Sequence, residues 1–458
     1  MREFSFTFDK GLTKGLRSTQ TNPRNNQALV DCYNLKPGVL GLEPFVPITD
    51  KSGDLSVSWP YPQIFMGTDS MFICEATKIY EVASNWTQTL KVTTTEFNVW
   101  DFVDYDTYAI FVNGAKIVIR DSLDNSYTAY DSLTTMPRVL TACDFKGQMI
   151  GGNVKSTWHG CGTNSVIWSA VGSNDFTPGE DNVKGSVNEA GFITSMNWSG
   201  QVLKVRRLGD HVIVYGDNGI TALKPHEHVF GKIEIAQFGI AYNGAVGGSI
   251  HEHVFVDKQG RLWKINSKLE LTELGYKEFI SDIDLTEVMV SYDEGNQEYA
   301  IADDDYGFLL TKNGLCQIYQ RITSMIHKAG TTYGVTDDST DDEGRVKSDI
   351  IDLGISGIKT IMGLECGMYH PSGGGSYEGY AGVDYKYNKV SSFTSGDWKL
   401  LNPSGAVTCI TGGEEFQIKV KADNYTGMRL DYIVVDVKIT DRRFMRGPKA
   451  NSLEAITE

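Results

Sequence analysis

The sequence repeats one local pattern, a pair of short alternating strands joined by a tight turn. In residues 211–223, HVIVYGDNGITAL, successive apolar side chains fall on opposite faces of an extended chain. Asn218-Gly219 is a pair that readily takes positive φ in a two-residue turn. Residues 220–223 follow at once as the partner strand. The stretch therefore predicts a β-hairpin.

This pattern recurs through the central part of the chain. Further turns lie at Asn113-Gly114, Gln259-Gly260 and Asn313-Gly314, and looser hairpins lie at 71–82 and 148–170. The first strands begin near residues 72, 109, 149, 212, 253 and 299, mostly about 40 to 46 residues apart, with one longer interval. That spacing is the period of a four-stranded propeller blade. We therefore predict an all-β protein with a β-propeller of about six blades over residues 49–334.

The remaining segments predict three further regions. Residues 1–48 read as an N-terminal arm, whose apolar run at 39–45 supplies a strand that closes the propeller ring. Residues 335–345 contain five acids and predict an exposed linker. Residues 346–458 predict a β-sandwich-like domain with a basic tail. The tail carries Arg442, Arg443, Arg446 and Lys449.

Charge and cysteine content exclude several classes of protein. The net charge of −16 disfavours a protein that grips phosphate, because such binding uses clustered Lys and Arg. Seven scattered cysteines without a CxxC pair predict reduced core thiols. The chain has no 18-residue apolar run and no signal-peptide core, so we expect a soluble protein made in a cytoplasm.

No motif in the sequence predicts a catalytic, cofactor or metal site. The sequence contains no GxSxG, HExxH, GxxxxGK[ST] or helix-opening GxGxxG motif. Two HEH triplets, His226-Glu227-His228 and His251-Glu252-His253, could direct paired imidazoles to one strand face. Pro225 before the first triplet and the apolar strand after the second favour histidines without a metal. The acidic runs 303–305 and 337–343 lack EF-hand spacing and predict solvated turns.

Two clusters of charged residues leave alternatives open. Lys204, Arg206 and Arg207 lie in QVLKVRRLGD, where alternation places the first two on one face. A solvated strand face is the main interpretation, and an interface for an acidic partner is the alternative. Asp210, Asp217 and Asp257 lie at strand ends, where an aspartate usually caps a turn. The eight tryptophans are spread along the repeats and indicate blade cores.

Patterns along the whole chain resemble the propeller-containing tail hub, or nozzle, proteins of short-tailed bacteriophages. The N-terminal pattern NPR…ALVDCYNL…GVLGLEPF covers 22–24, 28–35 and 38–45. The central runs ITSMNWSGQVLKVRRLGDHVIVYGDNGITAL and FGIAYNGAVGGSIHEHVFVDKQGRLWKI are similar to the repeated hairpins of that family. SDIIDLGISGIKTIMGLECGMY and GMRLDYIVVDVKI look like its terminal β-domain.

This resemblance implies a structural virion protein that is assembled in the host cytoplasm. Such proteins form a homo-oligomeric ring, usually a hexamer, below the portal and adaptor rings. They meet tail fibres or a needle or plug, and viral DNA passes through their lumen without sequence-specific binding. An acidic lumen agrees with that role because it repels phosphate.

Two other function classes fit a propeller. One is a carbohydrate-active enzyme or lectin, which would need carboxylates such as Asp210, Asp217 and Asp257 to converge on one axis. The other is an adhesin that binds the host envelope. Activity on a glycoside panel or binding to host cells would distinguish them from a tail component.

Overall fold

Among the residues that the structure describes, strands make up nearly all of the regular secondary structure, and the one α-helix is the single turn Lys277–Ile280. The computed structural model describes residues 2–8, 10–12, 28–49, 62–75, 77–94, 98–105, 107–131, 133–178, 189–226, 229–337, 340–355, 357–369, 378–388, 390–424, 426 and 428–439. These form two units. The propeller unit comprises 48–307 and 321–337, and the second unit comprises 1–47, 308–320 and 338–458.

Five four-stranded antiparallel sheets form the first five blades of the propeller unit, each a simple up-and-down meander. Blade 1 consists of Gln63–Met66, Met71–Cys74, Lys78–Val82 and Gln88–Thr93, and blade 2 of Asp101–Tyr105, Tyr108–Val112, Ile117–Asp121 and Ser126–Tyr130. Blade 3 consists of Val139–Phe145, Gln148–Val154, Val166–Trp168 and Gly191–Ile193, and blade 4 of Val202–Leu208, His211–Gly216, Ile220–His226 and Val229–Ala236. Blade 5 consists of Val246–Gly248, Glu252–Val256, Leu262–Asn266 and Leu271–Glu273.

Two shorter blades complete the ring. Blade 6 contributes the strands Met289–Asp293 and Glu298–Ala302 to this unit. Blade 7 is the hairpin Ser324–Lys328 and Thr331–Val335. The predicted β-propeller is confirmed, and the six predicted hairpins coincide with the second strands of blades 1 to 6. The hairpin that forms blade 7 is an addition to the predicted pattern, because its sequence carries no Asn-Gly turn.

Blade 7 closes the ring by contacts to both of its neighbours. The backbone N–H of Ile64 in blade 1 donates to Ser324 Oγ at 3.1 Å, and Thr323 Oγ1 donates to the carbonyl of Pro62 at 2.6 Å. On the other side, Thr332 Oγ1 donates to Asp293 of blade 6 at 2.8 Å. Residues 39–45 do not close the ring as predicted, because Leu42–Pro44 pairs within the second unit. Ring closure therefore depends on a segment close to residue 330.

Apolar side chains fill the spaces between adjacent blades. Trp100 and Phe111 lie in the cluster between blades 1 and 2, and Trp168 and Val214 lie between blades 3 and 4. Trp86 packs against Tyr333 with ring centroids 4.9 Å apart, which joins blade 1 to blade 7. The prediction that tryptophans mark blade cores is confirmed for these residues. Trp398 of the second unit is exposed, and Trp59 lies outside the described residues.

The hairpin at 211–223 forms with the predicted pairing, but its turn differs from the prediction. Tyr215 pairs with Ile220, and the turn is closed by a hydrogen bond from Gly216 N to Gly219 O at 2.9 Å. The central residues are therefore Asp217 and Asn218, and neither Asn218 nor Gly219 has positive φ. The glycines serve packing, because a Cβ on Gly219 would lie 2.2 Å from Cδ1 of the Trp198 indole.

The second unit contains two sheets built from both ends of the chain. Its strands are Arg2–Phe6, Leu29–Tyr33, Leu35–Pro37, Leu42–Pro44, Gly307–Leu310, Leu315–Ile318, Glu343–Ser348, Lys359–Tyr369, Glu378–Lys386, Lys399–Leu400, Ala406–Gly413, Glu415–Asp423 and Arg429–Ile439. One sheet has the order Leu35–Pro37, Leu42–Pro44, Arg429–Ile439, Lys359–Tyr369, Ala406–Gly413, with Arg2–Phe6 also paired to Arg429–Ile439. The other runs Gly307–Leu310, Leu315–Ile318, Leu29–Tyr33, Glu343–Ser348, Glu415–Asp423, Glu378–Lys386, Lys399–Leu400.

The division of the chain differs from the predicted boundaries. The N-terminal segment belongs to the second unit, where Arg2–Phe6 pairs with residues 433–437. The predicted acidic linker contains the start of the strand Glu343–Ser348, and Asp337 forms an ion pair with Arg321 at 2.7 Å. Both differences arise from pairings far apart in sequence. The basic tail and residues 22–24 lie outside the described residues.

All seven cysteines are free thiols, and Cys161, which is only half-buried, differs from the prediction of core thiols. Six are buried, and burial raises the pKa of Cys366 to about 12. A raised thiol pKa keeps the reactive thiolate scarce at neutral pH. Within the described ranges, no helix has the length and apolar character that crossing a membrane requires.

We predict that Gly219→Ala destabilises the propeller by about 1–3 kcal/mol, since its new methyl group would overlap the Trp198 ring. Gly231→Ala in the same blade is the matched control, because a Cβ there would lie 3.8 Å from the carbonyl oxygen of Lys224, an ordinary van der Waals contact. The control should leave stability unchanged or slightly raised. Thermal and denaturant unfolding of both variants tests this, and equal stability of the two would contradict it.

Candidate functional site: the central cavity of the propeller

The innermost strands of all seven blades surround a central cavity of about 480 Å³. Its lining includes charged residues of blades 2, 3 and 4, Val246, Gly247 and Gly248 of blade 5, and Ser291 and His327 of blades 6 and 7. Ligand sites in propellers commonly occupy this axis, as concave sites with a few convergent polar groups do in general. The cavity is therefore the candidate site.

A buried carboxylate joins three consecutive blades at the cavity wall. Asp101 begins the innermost strand of blade 2, and its Oδ2 accepts hydrogen bonds from Thr141 Oγ1 and, at 3.1 Å, from Ala142 N of blade 3. Its Oδ1 pairs with Lys204 Nζ of blade 4. Thr141 Oγ1 in turn accepts from Val205 N at 3.0 Å. We call these residues, Asp101, Thr141 and Lys204, the inner belt.

Both charged side chains of the inner belt are buried. Asp101 and Lys204 are each 7% exposed. Burial of an ion pair costs desolvation free energy, which is offset only when geometry is good and further hydrogen bonds satisfy the groups. Asp101 receives such bonds from a hydroxyl and a backbone amide as well as the ammonium. The belt therefore fixes the relative position of three blades.

The two arginines next to Lys204 also make internal contacts. Arg206 donates from Nη1 to Val246 O and from Nη2 to Gly248 O, both at 3.1 Å, which joins blade 4 to blade 5. Arg207 lies 3.6 Å from Asp144 of blade 3. The prediction of a solvated face for Lys204, Arg206 and Arg207 is wrong, because all three residues line the cavity and Lys204 is buried. These cations brace the propeller.

Two asparagines meet near the start of the innermost strands. Nδ2 of Asn243, before blade 5, donates to Oδ1 of Asn98, before blade 2, at 3.2 Å. Nδ2 of Asn98 also donates to the carbonyl of Asn113 at 3.1 Å. Blades 2 and 5 are not neighbours in the ring, so this contact crosses the axis. The axis is therefore not an open pore at this end.

His253 of the second HEH triplet is a buried hydrogen-bonding residue. Its Nε2–H donates to the Arg207 carbonyl at 2.9 Å, which leaves Nδ1 to accept from the Tyr215 hydroxyl at 2.9 Å. Burial, with a smaller contribution from Arg206, lowers the pKa of His253 to about 3. The imidazole is therefore neutral at physiological pH, and both of its nitrogens are engaged.

The remaining histidines of the triplets are not gathered around it. His226 and His251 are exposed, and Glu227 and His228 lie outside the described residues. Across the part of the chain that the structure describes, no group of three or more His, Cys, Asp and Glu side chains is placed to hold a metal ion.

The three aspartates considered as catalytic carboxylates each serve a local contact. Asp210 pairs with Lys146 at 2.8 Å, and Asp217 accepts from Gln201 N at 3.0 Å. Asp257 accepts from Gln259 N and Arg261 N, which is a turn cap. None of the three lines the cavity. Asp303 likewise accepts from Asp305 N and Tyr306 N in a turn.

Sequence reasoning missed Asp101, Asn98 and Asn243. Asp101 lies in DFVDY, where it alternates with apolar residues like any exposed strand residue. A polar residue at the first position of an innermost strand can indicate a contact at the propeller axis. The sequence alone does not show which strand of a blade is innermost, so this indication could not be used. The partners are 40 and 103 residues away in sequence.

We predict that Lys204→Met lowers the free energy of unfolding of the propeller by about 3–5 kcal/mol, because it leaves Asp101 as an uncompensated buried charge. The double variant Asp101→Leu/Lys204→Met should recover part of that loss. Lys146→Met removes an exposed ion pair with Asp210 and should leave the free energy of unfolding almost unchanged. Chemical denaturation of wild type, Lys204→Met, Asp101→Leu, the double variant and Lys146→Met measures these free energies. Additive single-variant effects would contradict a coupled pair.

A second prediction concerns how the free energy of unfolding depends on pH. The folded-state pKa of His253, about 3, lies below its ordinary value of 6.5, so the unfolded chain binds the proton first. His253 therefore destabilises the fold as pH falls from 6.5 towards 3, by about 1.4 kcal/mol per unit. His253→Gln should flatten the pH dependence of unfolding by that slope, and the exposed control His251→Gln should leave it unchanged. Parallel slopes for wild type and His253→Gln would refute the assignment.

No protein-family model matches the sequence, and no curated protein matches it. Among solved structures, the chain is similar to the WD40 domain of Pan2 from Neurospora crassa, with 7% identity, 62% of this chain and 85% of that chain covered, and a TM-score of 0.39. It is also similar to the WD40 β-propeller domain of Doa1, with 11% identity, coverages of 60% and 89%, and a TM-score of 0.37. PorZ, a surface component of the type-IX secretion system of Porphyromonas gingivalis, has 9% identity, coverages of 68% and 44%, and a TM-score of 0.37. These likenesses concern the fold alone.

Proposed function

We propose that this chain is a non-enzymatic structural component of a short-tailed phage tail. It forms a homo-oligomeric ring, a hub or nozzle, below the portal and adaptor, and the ring makes part of the genome-ejection channel. The resemblance in residue patterns over the N-terminal, central and C-terminal stretches is the reason to propose a phage tail protein in particular. The distribution of exposed apolar side chains is the observation that supports an assembling role.

Eleven of the sixteen exposed large apolar side chains among the described residues belong to the second unit. They are Val30, Val39, Leu40, Val46, Tyr387, Val390, Trp398, Leu400, Ile410, Tyr432 and Ile439. Exposed apolar surface of this kind is typical of a protein that binds other proteins. The propeller unit holds the other five, although it contains most of the described chain. The second unit is therefore the assembling part of the chain.

The charged groups of the propeller cavity favour a supporting role for that unit. Lys204, Arg206 and Arg207 are committed to Asp101, to blade 5 carbonyls and to Asp144. A catalytic or ligand-binding centre needs polar groups that are free to meet a substrate. The cavity instead uses its charges to join blades. In the proposed ring, the propeller unit therefore contributes rigidity.

The channel for DNA in this proposal lies between subunits. The contact between Asn98 and Asn243 crosses the propeller axis, so a duplex does not thread the propeller itself. A lumen enclosed by several copies of a chain with net charge −16 repels phosphate. DNA would then move past the wall without the tight binding that several phosphate contacts produce.

The expected result for the full chain is a closed ring. Light scattering and electron microscopy of the purified protein, alone and mixed with portal-adaptor complexes, would measure the mass and the symmetry. Mass spectrometry of particles from cells that carry the gene should detect the chain in the virion. A protein that stays monomeric under all these conditions and is missing from particles would overturn the proposal.

A further inference from the structure

The six-stranded sheet of the second unit has three strands that pair with a single neighbour in it among the described residues. One of them, the short Leu35–Pro37, lies beyond Leu42–Pro44 on the side of Arg2–Phe6. Ala406–Gly413 lies at one margin and pairs with Lys359–Tyr369 on its inner side. Arg2–Phe6 lies at the other and pairs with Arg429–Ile439. A strand at a margin presents unpaired N–H and C=O groups and is a template for pairing with another chain.

The margin at Ala406–Gly413 has the composition of a pairing strand. Its sequence, AVTCITGG, carries no charge and includes several residues with high β-propensity. Thr408 is exposed and Ile410 is 69% exposed. A bulge leaves Cys409 and Ile410 without partners on the inner strand. Lys399 Nζ donates to Thr408 O at 3.0 Å, and a single exposed lysine side chain is readily displaced by a strand.

The opposite margin is shorter and more polar. In Arg2–Phe6, the residues Arg2, Glu3 and Ser5 are exposed, and Phe6 is buried in the unit. This strand is anchored over all five residues by Arg429–Ile439, from Arg2 with Val437 to Phe6 with Ile433. An anchored strand keeps its outer groups in a fixed geometry, which lowers the entropic cost of pairing.

The directions of the strands make the two margins compatible. Arg2–Phe6 is antiparallel to Arg429–Ile439, which is antiparallel to Lys359–Tyr369, which is antiparallel to Ala406–Gly413. The two marginal strands therefore run in opposite directions. If a second copy continues the sheet in the same orientation, its Arg2–Phe6 strand meets Ala406–Gly413 as an antiparallel pair.

We infer that Ala406–Gly413 of one copy pairs with Arg2–Phe6 of the next, so that neighbouring subunits share one continuous sheet. This inference rests on the proposed function, since it names the contact that holds the ring together. The occupant is a second copy of this chain, because both complementary margins belong to one sheet. Such head-to-tail contacts use two different surfaces and generate rings when the rotation closes.

Cysteine cross-linking of the full chain distinguishes this contact from others. Ser5→Cys and Thr408→Cys place one thiol on each exposed margin, and a short bis-maleimide tolerates a small error in register. The double variant should give a ladder of cross-linked species up to the size of the ring, and each single variant should give none beyond wild type. Dimers from Thr408→Cys alone would show a symmetric contact and overturn the head-to-tail pairing.

A matched pair of variants tests the energetics. Ile410→Lys places a charge on the margin, and self-association should weaken about tenfold or more. Leu123→Lys makes the same change at a residue of the propeller that is 79% exposed, and association should not change. Far-ultraviolet circular dichroism confirms that both variants fold. A ring that forms normally with Ile410→Lys and gives no cross-link ladder refutes this interface and leaves the proposed function intact, whereas wild type that forms no ring refutes both.

Discussion

The hydrogen-bonded carboxylate of Asp101 is the interaction on which the geometry of the propeller depends. Burial of apolar surface between two blades is non-directional, whereas hydrogen bonds to a buried carboxylate require one geometry. The inner belt fixes the relative position of three consecutive blades, since Asp101, Thr141 and Lys204 must keep one arrangement to satisfy their buried polar groups. Arg206 extends the same principle to blade 5 through two carbonyls. Polar contacts at the axis thus set the blade positions, and apolar clusters further out supply most of the stabilising free energy.

Closure of the ring relies on residues far apart in sequence. Thr323 and Pro62, which join blade 7 to blade 1, are separated by 261 residues, and the chain visits the second unit at 308–320 before it returns to form blade 7. Contacts of such long range are slow to form because the entropy of a large loop must be lost first. The ring is therefore expected to close late in folding, after the blades themselves. A two-stranded blade suits that step because few residues remain to be ordered.

The sequence was sufficient for the blade repeat and insufficient for its connections. Alternating apolar residues at a spacing of about 40 to 46 placed the second strand of six blades, because that pattern is local. Asn218-Gly219 marked the correct hairpin for the wrong reason, since Gly219 makes room for Trp198 and its φ is not positive. Residues 39–45 were assigned to the ring although they pair with another strand of the second unit. Strand partners depend on long-range register, which a single sequence does not encode in any short window.

The charged residues of the candidate site show the same limit of prediction from a single sequence. Lys204, Arg206 and Arg207 read as a solvated face because alternation alone cannot separate a strand that faces solvent from one that faces an axial cavity. The two kinds of strand differ in the hydrogen-bond acceptors that surround their cations. Here the acceptors are one aspartate from two blades away and two backbone carbonyls. The cations at the cavity therefore join blade 4 to blades 2 and 5.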